Sequence, residues 1–208
     1  MVMIKAVLIL VMIGLVPFQS AFADLKDEAK TILQQRDAEI KELLGPEGTD
    51  YTDEQRQQIK DIINDVMDYR AIAQYALQDQ WNEMSEDERT EFVEILSAII
   101  RDQSMNNLDI YRADVVYDSF EEENGMIIAH TTAILENRRV PVVYNMVKAN
   151  GEWMVTDTSI NNSSTAESYR RSFQNILRRR GYDALVESLK RRAGMASQVQ
   201  YEITGNLA

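Results

Sequence analysis

Apolar positions recur along this chain with two different periods, and the period changes twice. From Leu25 to Ile100 the spacing is helical. Leu25, Ala29, Ile32, Leu33, Ile40, Leu43 and Leu44 mark one amphipathic face, which Gly45-Pro46 terminates. Thr52 with Gln55 reads as a capping box for a second helix carrying Ile59, Ile62, Ile63, Val66 and Met67. Asp68 caps a third helix through Leu77. Ser85 with Glu88 opens a fourth, whose Phe92, Ile95, Leu96, Ile99 and Ile100 form an apolar stripe. Four helices are therefore expected before any strand.

From about Asp114 the period falls to two. Val115 to Phe120 reads as a strand, Glu123-Asn124-Gly125 as its turn, and Met126 to Glu136 as a second strand. Val140, Val142, Tyr144 and Met146 alternate, so a pleated strand puts all four on one face. Asn150-Gly151 signals a tight hairpin, and a return strand from Glu152 places Trp153, Val155 and Asp157 on one face. Asn161-Asn162-Ser163-Ser164 breaks that strand and caps a helix from about Ala166 to Arg180, which Gly181 stops. The pattern specifies an α+β protein, a strongly twisted antiparallel meander of at least four strands cradled by helices. We expect a single domain over 24–195, mainly helical over 24–110, with the sheet over 113–160 and C-terminal helices over 165–192. Residues 196–208 read as a flexible tail.

Composition narrows the setting. Lys5, the uncharged run Ala6 to Val16, Pro17 and then Ala21-Phe22-Ala23 follow the order of a secretory signal, with cleavage expected after Ala23. The run is shorter than the ~20 residues a bilayer span needs. The chain has no Cys, so neither disulfides nor thiolate metal sites hold it together. The net charge is −12, and loss of residues 1–23 with Lys5 makes it −13. That balance argues against nucleic acid and against unassisted adsorption to anionic membranes. Basic residues nevertheless crowd the C-terminal helices, Arg178, Arg179 and Arg180 above all. They read either as a solvated face or as a contact for lipid headgroups or an acidic partner.

Candidate chemistry is thin. His130 is the only His, without a second His or Cys to build a metal site, and reads as structural. Ser163 and Ser164 lack a nucleophile-elbow pattern, and there is no glycine-rich phosphate loop. Asp157 and Arg170 suggest an ion pair joining the last strand to the helix. No catalytic residue, cofactor or metal is expected.

The order of certain residues is more specific. Tyr144 and Met146, Gly151-x-Trp153, Asp157, Tyr169-Arg170-x-x-Phe173 and Gly181-Tyr182-Asp183-x-Leu185 follow one another. Upstream stand Asp68-Tyr69-Arg70-Ala71-Ile72-Ala73, Leu77, Trp81, Ser85, Glu88, Arg89 and Phe92. Taken together over most of the chain, they resemble the MlaC family, also called Ttg2 or toluene tolerance. The chain departs from that pattern at Gln78, where the family carries Gly, at Thr156, where it carries Tyr, and at Asn162-Ser163-Ser164, where it carries Gly-x-Ser. The resemblance implies an NTF2-like or cystatin-like frame with a helical subdomain, enclosing an apolar cavity. It further implies a monomeric phospholipid carrier in the periplasm of a Gram-negative bacterium. Such a carrier exchanges lipid with an inner-membrane ABC transporter complex and an outer-membrane lipoprotein complex, maintaining outer-membrane asymmetry.

Magnitude supports a deep slot in such a protein. Burial is worth about 0.8 kcal/mol per methylene, so a sixteen-carbon tail gains roughly 11 kcal/mol on leaving water, more than headgroup contacts could supply. The expected lining is Val142, Tyr144, Met146, Trp153 and Val155, roofed by Trp81, Phe92, Ile95 and Ile99. Asp157, Tyr169, Arg170, Phe173 and Gly181 then form a structural motif. Two other classes share the frame. A small enzyme acting on an apolar substrate would need a buried acid with a strongly raised pKa. An envelope adaptor would have a filled core and would keep its partners after Val142→Trp.

Overall fold

A computed structural model describes residues 20–205 except 47, 106–107 and 136–137; for 20–24, 109 and 195–205 it describes the backbone only. Most of the expected signal segment, residues 1–19, and the last three residues of the expected tail lie outside the described residues, as does Glu136 at the expected end of the second strand. Among the described residues no helix is long and apolar enough to cross a membrane.

The helical half follows its caps. Helix α1 (Ser20–Leu44) ends at Gly45, whose φ of 56° only glycine adopts cheaply. Helix α2 (Asp53–Asp65) opens on the reciprocal Thr52–Gln55 capping box, and α3 (Tyr69–Leu77) on Asp68, whose side chain accepts from Ala71 N at 2.8 Å. Helix α5 (Glu86–Ser104) opens on the Ser85–Glu88 box. Two elements escaped the periodicity. A short α4 (Asp79–Glu83) turns off α3, and a 3-10 turn (Leu108–Arg112) leads into the sheet. The bend before α4 is made by Gln78 at φ 52°, ψ −123°, a conformation costly to any residue with a Cβ. The bonds around it, Gln78 N to Gln74 O and Trp81 N to Gln78 O, are all backbone. Gln78→Gly should therefore raise stability by about 1 kcal/mol, read as a higher urea midpoint with unchanged slope; an unchanged or lower midpoint would show the strain is absent.

The sheet is a five-stranded antiparallel meander in the order β1-β2-β3-β4-β5: β1 (Asp114–Glu123), β2 (Met126–Leu135), β3 (Arg138–Ala149), β4 (Glu152–Ile160) and the short β5 (Ser163–Ser164). Left-handed turn residues close two hairpins where the sequence placed them, at Asn124-Gly125 (φ 54° and 79°) and Asn150-Gly151 (53° and 89°); at Asn161-Asn162 (50° and 62°), read only as a break before the helix, a third turn returns the chain into β5. Two bulges break the simple alternation. One between Tyr117 and Ser119 lets Tyr117 and Phe120, three residues apart, share a face and stack at 6.5 Å. The other, at Thr156, pairs Met146 with Val155 but Asn145 with Asp157. Asp157 therefore leaves the face that carries Trp153 and Val155, against the strict alternation expected from sequence.

Helix α1 covers the inner face through Ala29, which packs with Ile127, Ala129, Met146 and Val155. A second core joins Ile40, Leu44 and Ile59 between α1 and α2. A third fills the helical half, between α3, α5 and the long α6 (Thr165–Gly205), which breaks at Gly181 (φ 79°, ψ 178°) into two arms. Gly181 thus ends the first arm as expected, and the second begins at once. Backbone bonds tie the helices to the sheet: Asp68 N donates to Val155 O at 2.9 Å, and Val155 N to Val66 O at 2.6 Å.

Candidate functional site

The inner face of the sheet is stepped. In one row Tyr117, Thr131 and Val142 lie side by side across β1, β2 and β3; in the next, Phe120, Ala129 and Tyr144. Ala129 on β2 is thus flanked by large rings on both neighbours, and Thr131 by a ring on one. Tyr144 is enclosed, and burial, then the carboxylate of Asp37 on α1, pushes its pKa up to about 12. Burial, then Asp37 and Tyr144, raises Tyr117 as well. Burial lifts Tyr111, from the 3-10 turn, to about 12, with Tyr144 and Tyr69 adding to it. Yet all three residues stay partly accessible, and each of the three phenol oxygens reaches free space. Hydroxyls with no hydrogen-bond partner among the described residues and no seal of surrounding atoms mark a hollow beside these rings. It lies between α1, the 3-10 turn and the sheet.

Of the expected lining, Val142, Tyr144, Met146, Val155 and Trp153 do share this inner face. Met146 and Val155 are filled core beside α1, and Trp153 donates Nε1–H to Glu28 at 3.1 Å, so Val142 and Tyr144 are the two nearest the hollow. The expected roof is elsewhere. Phe92, Ile95 and Ile99 pack with Phe173, Leu185 and Leu189 in the helical core. Trp81 is 4% exposed there, held between the guanidinium groups of Arg70 and Arg89 at 5.1 and 5.3 Å. The stripe on α5 faces α6 because α3 and α6 supply its partners, and periodicity carries no record of partners. The residues that do approach the hollow, Asp37, Tyr111 and Tyr117, escaped the sequence reading. Tyr117 was legible only as one apolar strand position, and the other two sit in patterns read as helix surface and linker.

A family model for the MlaC protein matches residues 19–191. The chain belongs to the MlaC family. A comparison with curated proteins finds no match. Among solved structures the fold is similar to that of a phospholipid-binding protein from Ralstonia solanacearum in complex with a phospholipid, at 18% identity and TM-score 0.67, covering 83% of this chain and 98% of that one.

The residues that carry the MlaC resemblance here act mainly on the frame. Asp157 does not pair with Arg170: its Oδ1 accepts from Ala166 N at 2.9 Å, capping α6, while Ser164 Oγ accepts from Glu167 N at 3.0 Å. Arg170 instead grips Glu167 through two 2.6 Å bonds, and with Tyr75 it holds that carboxyl down at about 2. The bulge explains the change, since it turns Asp157 toward the start of α6. Asp157→Ala should then cost about 1 kcal/mol by urea denaturation, and Arg170→Met well under that, because its pair is only part-buried and joins residues three apart on one helix. Equal losses would restore the ion-pair reading. Phe173 is core, and Tyr169 donates to Gln103 Oε1 at 3.0 Å. Below the Gly181 elbow a cleft of about 430 Å³ opens between the arms of α6, floored by Phe173, Ile176 and Leu189 and edged by Ser172, Ser188 and Arg192. Arg178, Arg179 and Arg180 are exposed at the elbow, with no carboxylate partner among the described residues. His130 also stays at the surface, with Glu121 at 3.8 Å. Among the described residues no cluster of His, Cys, Asp and Glu could hold a metal.

Proposed function

We propose that this protein is a periplasmic phospholipid carrier of an Mla-type system, which takes lipid from one membrane-bound complex and releases it to another without chemistry of its own. The observation that carries this reading is the MlaC-family fold, in which the inner face of the sheet holds Tyr144 and Tyr117 with hydroxyls that make no hydrogen bond to any described residue. The Ralstonia protein, with the same fold, holds a phospholipid. In this chain Val142 and Tyr144 are the residues of the expected lining best placed to meet acyl chains. The partners are an inner-membrane ABC transporter complex and an outer-membrane lipoprotein complex, and the protein works as a monomer. Energy for net movement belongs to those partners.

Native mass spectrometry of protein released from the periplasm without detergent tests the reading. Phospholipid near one per chain is expected. A lipid-free mass that persists after incubation with vesicles would overturn it in favour of an enzyme or an adaptor. The same preparation tests the residues 1–23 as a signal, since the mature mass should begin at Asp24.

The unpaired arginines at the elbow suit an acidic docking surface. Replacing Arg178, Arg179 and Arg180 together by Glu should slow lipid exchange with the reconstituted transporter complex by about tenfold at low salt, with a smaller effect at high salt and an unchanged circular dichroism spectrum. Unchanged exchange would leave these residues as a solvated face.

A further inference from the structure

Three tyrosines bring hydrogen-bond donors, unpaired among the described residues, to the hollow between α1, the 3-10 turn and the sheet. Tyr117 and Tyr144 stand one row apart on β1 and β3, with Ala129 and Thr131 of β2 between them. Tyr111 and Asp37 approach from the helical side. The neighbouring polar groups are already engaged: Thr131 Oγ1 donates to Val142 O at 2.9 Å, and Asp37 is paired with Lys41 at 3.0 Å. The three phenols, by contrast, have no hydrogen-bond acceptor among the described residues, and their oxygens reach free space.

While the hollow holds water, water can serve those donors. A wholly hydrocarbon occupant would expel the water and strand them, and each stranded buried donor costs roughly tenfold in affinity. The occupant must therefore bring acceptors to this depth. Asp37 selects their charge. After burial, its carboxylate is the next cause of the raised Tyr144 and Tyr117 pKa values, so an anion set among these rings would face repulsion at low dielectric. A neutral carbonyl meets no such penalty.

On the carrier reading, we propose that Tyr144, with Tyr117 and Tyr111, donates to the ester carbonyl oxygens of a glycerolipid. The tyrosines then mark the depth at which acyl chain gives way to glycerol, with the phosphate held further out. The protein accordingly selects ester-linked over ether-linked lipids of the same chain length and headgroup, because an ether oxygen is a far weaker acceptor.

The test is displacement of a fluorescent phospholipid from the delipidated mature protein by diester or diether phosphatidylcholine of matched chains. The wild-type protein should prefer the diester by about tenfold. Tyr144→Phe, which keeps the ring and removes the donor, should cut that preference to about threefold, and the Tyr111→Phe/Tyr117→Phe/Tyr144→Phe triple variant should bring it close to one. Equal binding of the two lipids by the wild-type protein, or a preference unchanged in the triple variant, would overturn the ester assignment while leaving the carrier reading intact. Binding of neither lipid would overturn both. The wild-type comparison needs no variant, so a misfolded mutant cannot obscure the result.

Discussion

Phe173→Ala is expected to cost about 3–5 kcal/mol of folding stability, a large loss for one residue. Its ring is 2% exposed, meets Phe92 edge-on at 5.7 Å and 88°, and lies 5.4 Å from Tyr169. It is thus the contact through which α6 is packed onto α3 and α5. Its removal strips these contacts and deepens the adjoining α6 cleft. Beside it Gln174 Nε2 donates to Ala76 O and Leu77 O at 3.2 and 3.0 Å, holding the helices at fixed separation. Equilibrium urea unfolding measures the change directly. A loss below about 1 kcal/mol would mean that the two arms of α6 are not anchored here.

Val142→Trp should abolish lipid loading while leaving a folded protein. Val142 is 7% exposed and lies in the same row as Tyr117 and Thr131, one step from Tyr144, so an indole there projects toward the hollow. Forcing extra volume into packed surroundings costs about 1–3 kcal/mol, which a domain of ordinary stability survives. The lost lipid, at roughly 11 kcal/mol per sixteen-carbon tail, is the larger effect. Circular dichroism together with native mass spectrometry separates the two. A folded variant that still carries phospholipid would place the tails elsewhere, the α6 cleft being the next region to probe.

The two experiments address different halves of the molecule, and that division was itself invisible at first reading. The sequence joins Trp81, Phe92, Ile95 and Ile99 to the strand residues as one apolar set, whereas the folded chain sends the former to a helical core and the latter to the inner face of the sheet. Both sets obey their own periods faithfully. A helical stripe states that a face is buried, but not against which neighbour.

Local features were fully legible from the chain. The Thr52–Gln55 and Ser85–Glu88 boxes, the Asp68 cap, the Asn-Gly hairpins and the break at Gly181 arise from residues within a few positions of one another, so their free energy is local and their signals survive in sequence. The order of the MlaC motif residues added the family. Tertiary structure alone decided the rest. The bulge at Thr156 took Asp157 off its expected face and made it a helix cap instead of Arg170's partner, because one extra residue reverses every later side chain in a strand. The bulge in β1 likewise brought Tyr117 beside Phe120, and the hollow sets the consecutive 3-10 turn and first three strands against α1, which is distant from them in sequence. A cavity is the place where packing stops, and no single segment of the chain records where its distant neighbours end.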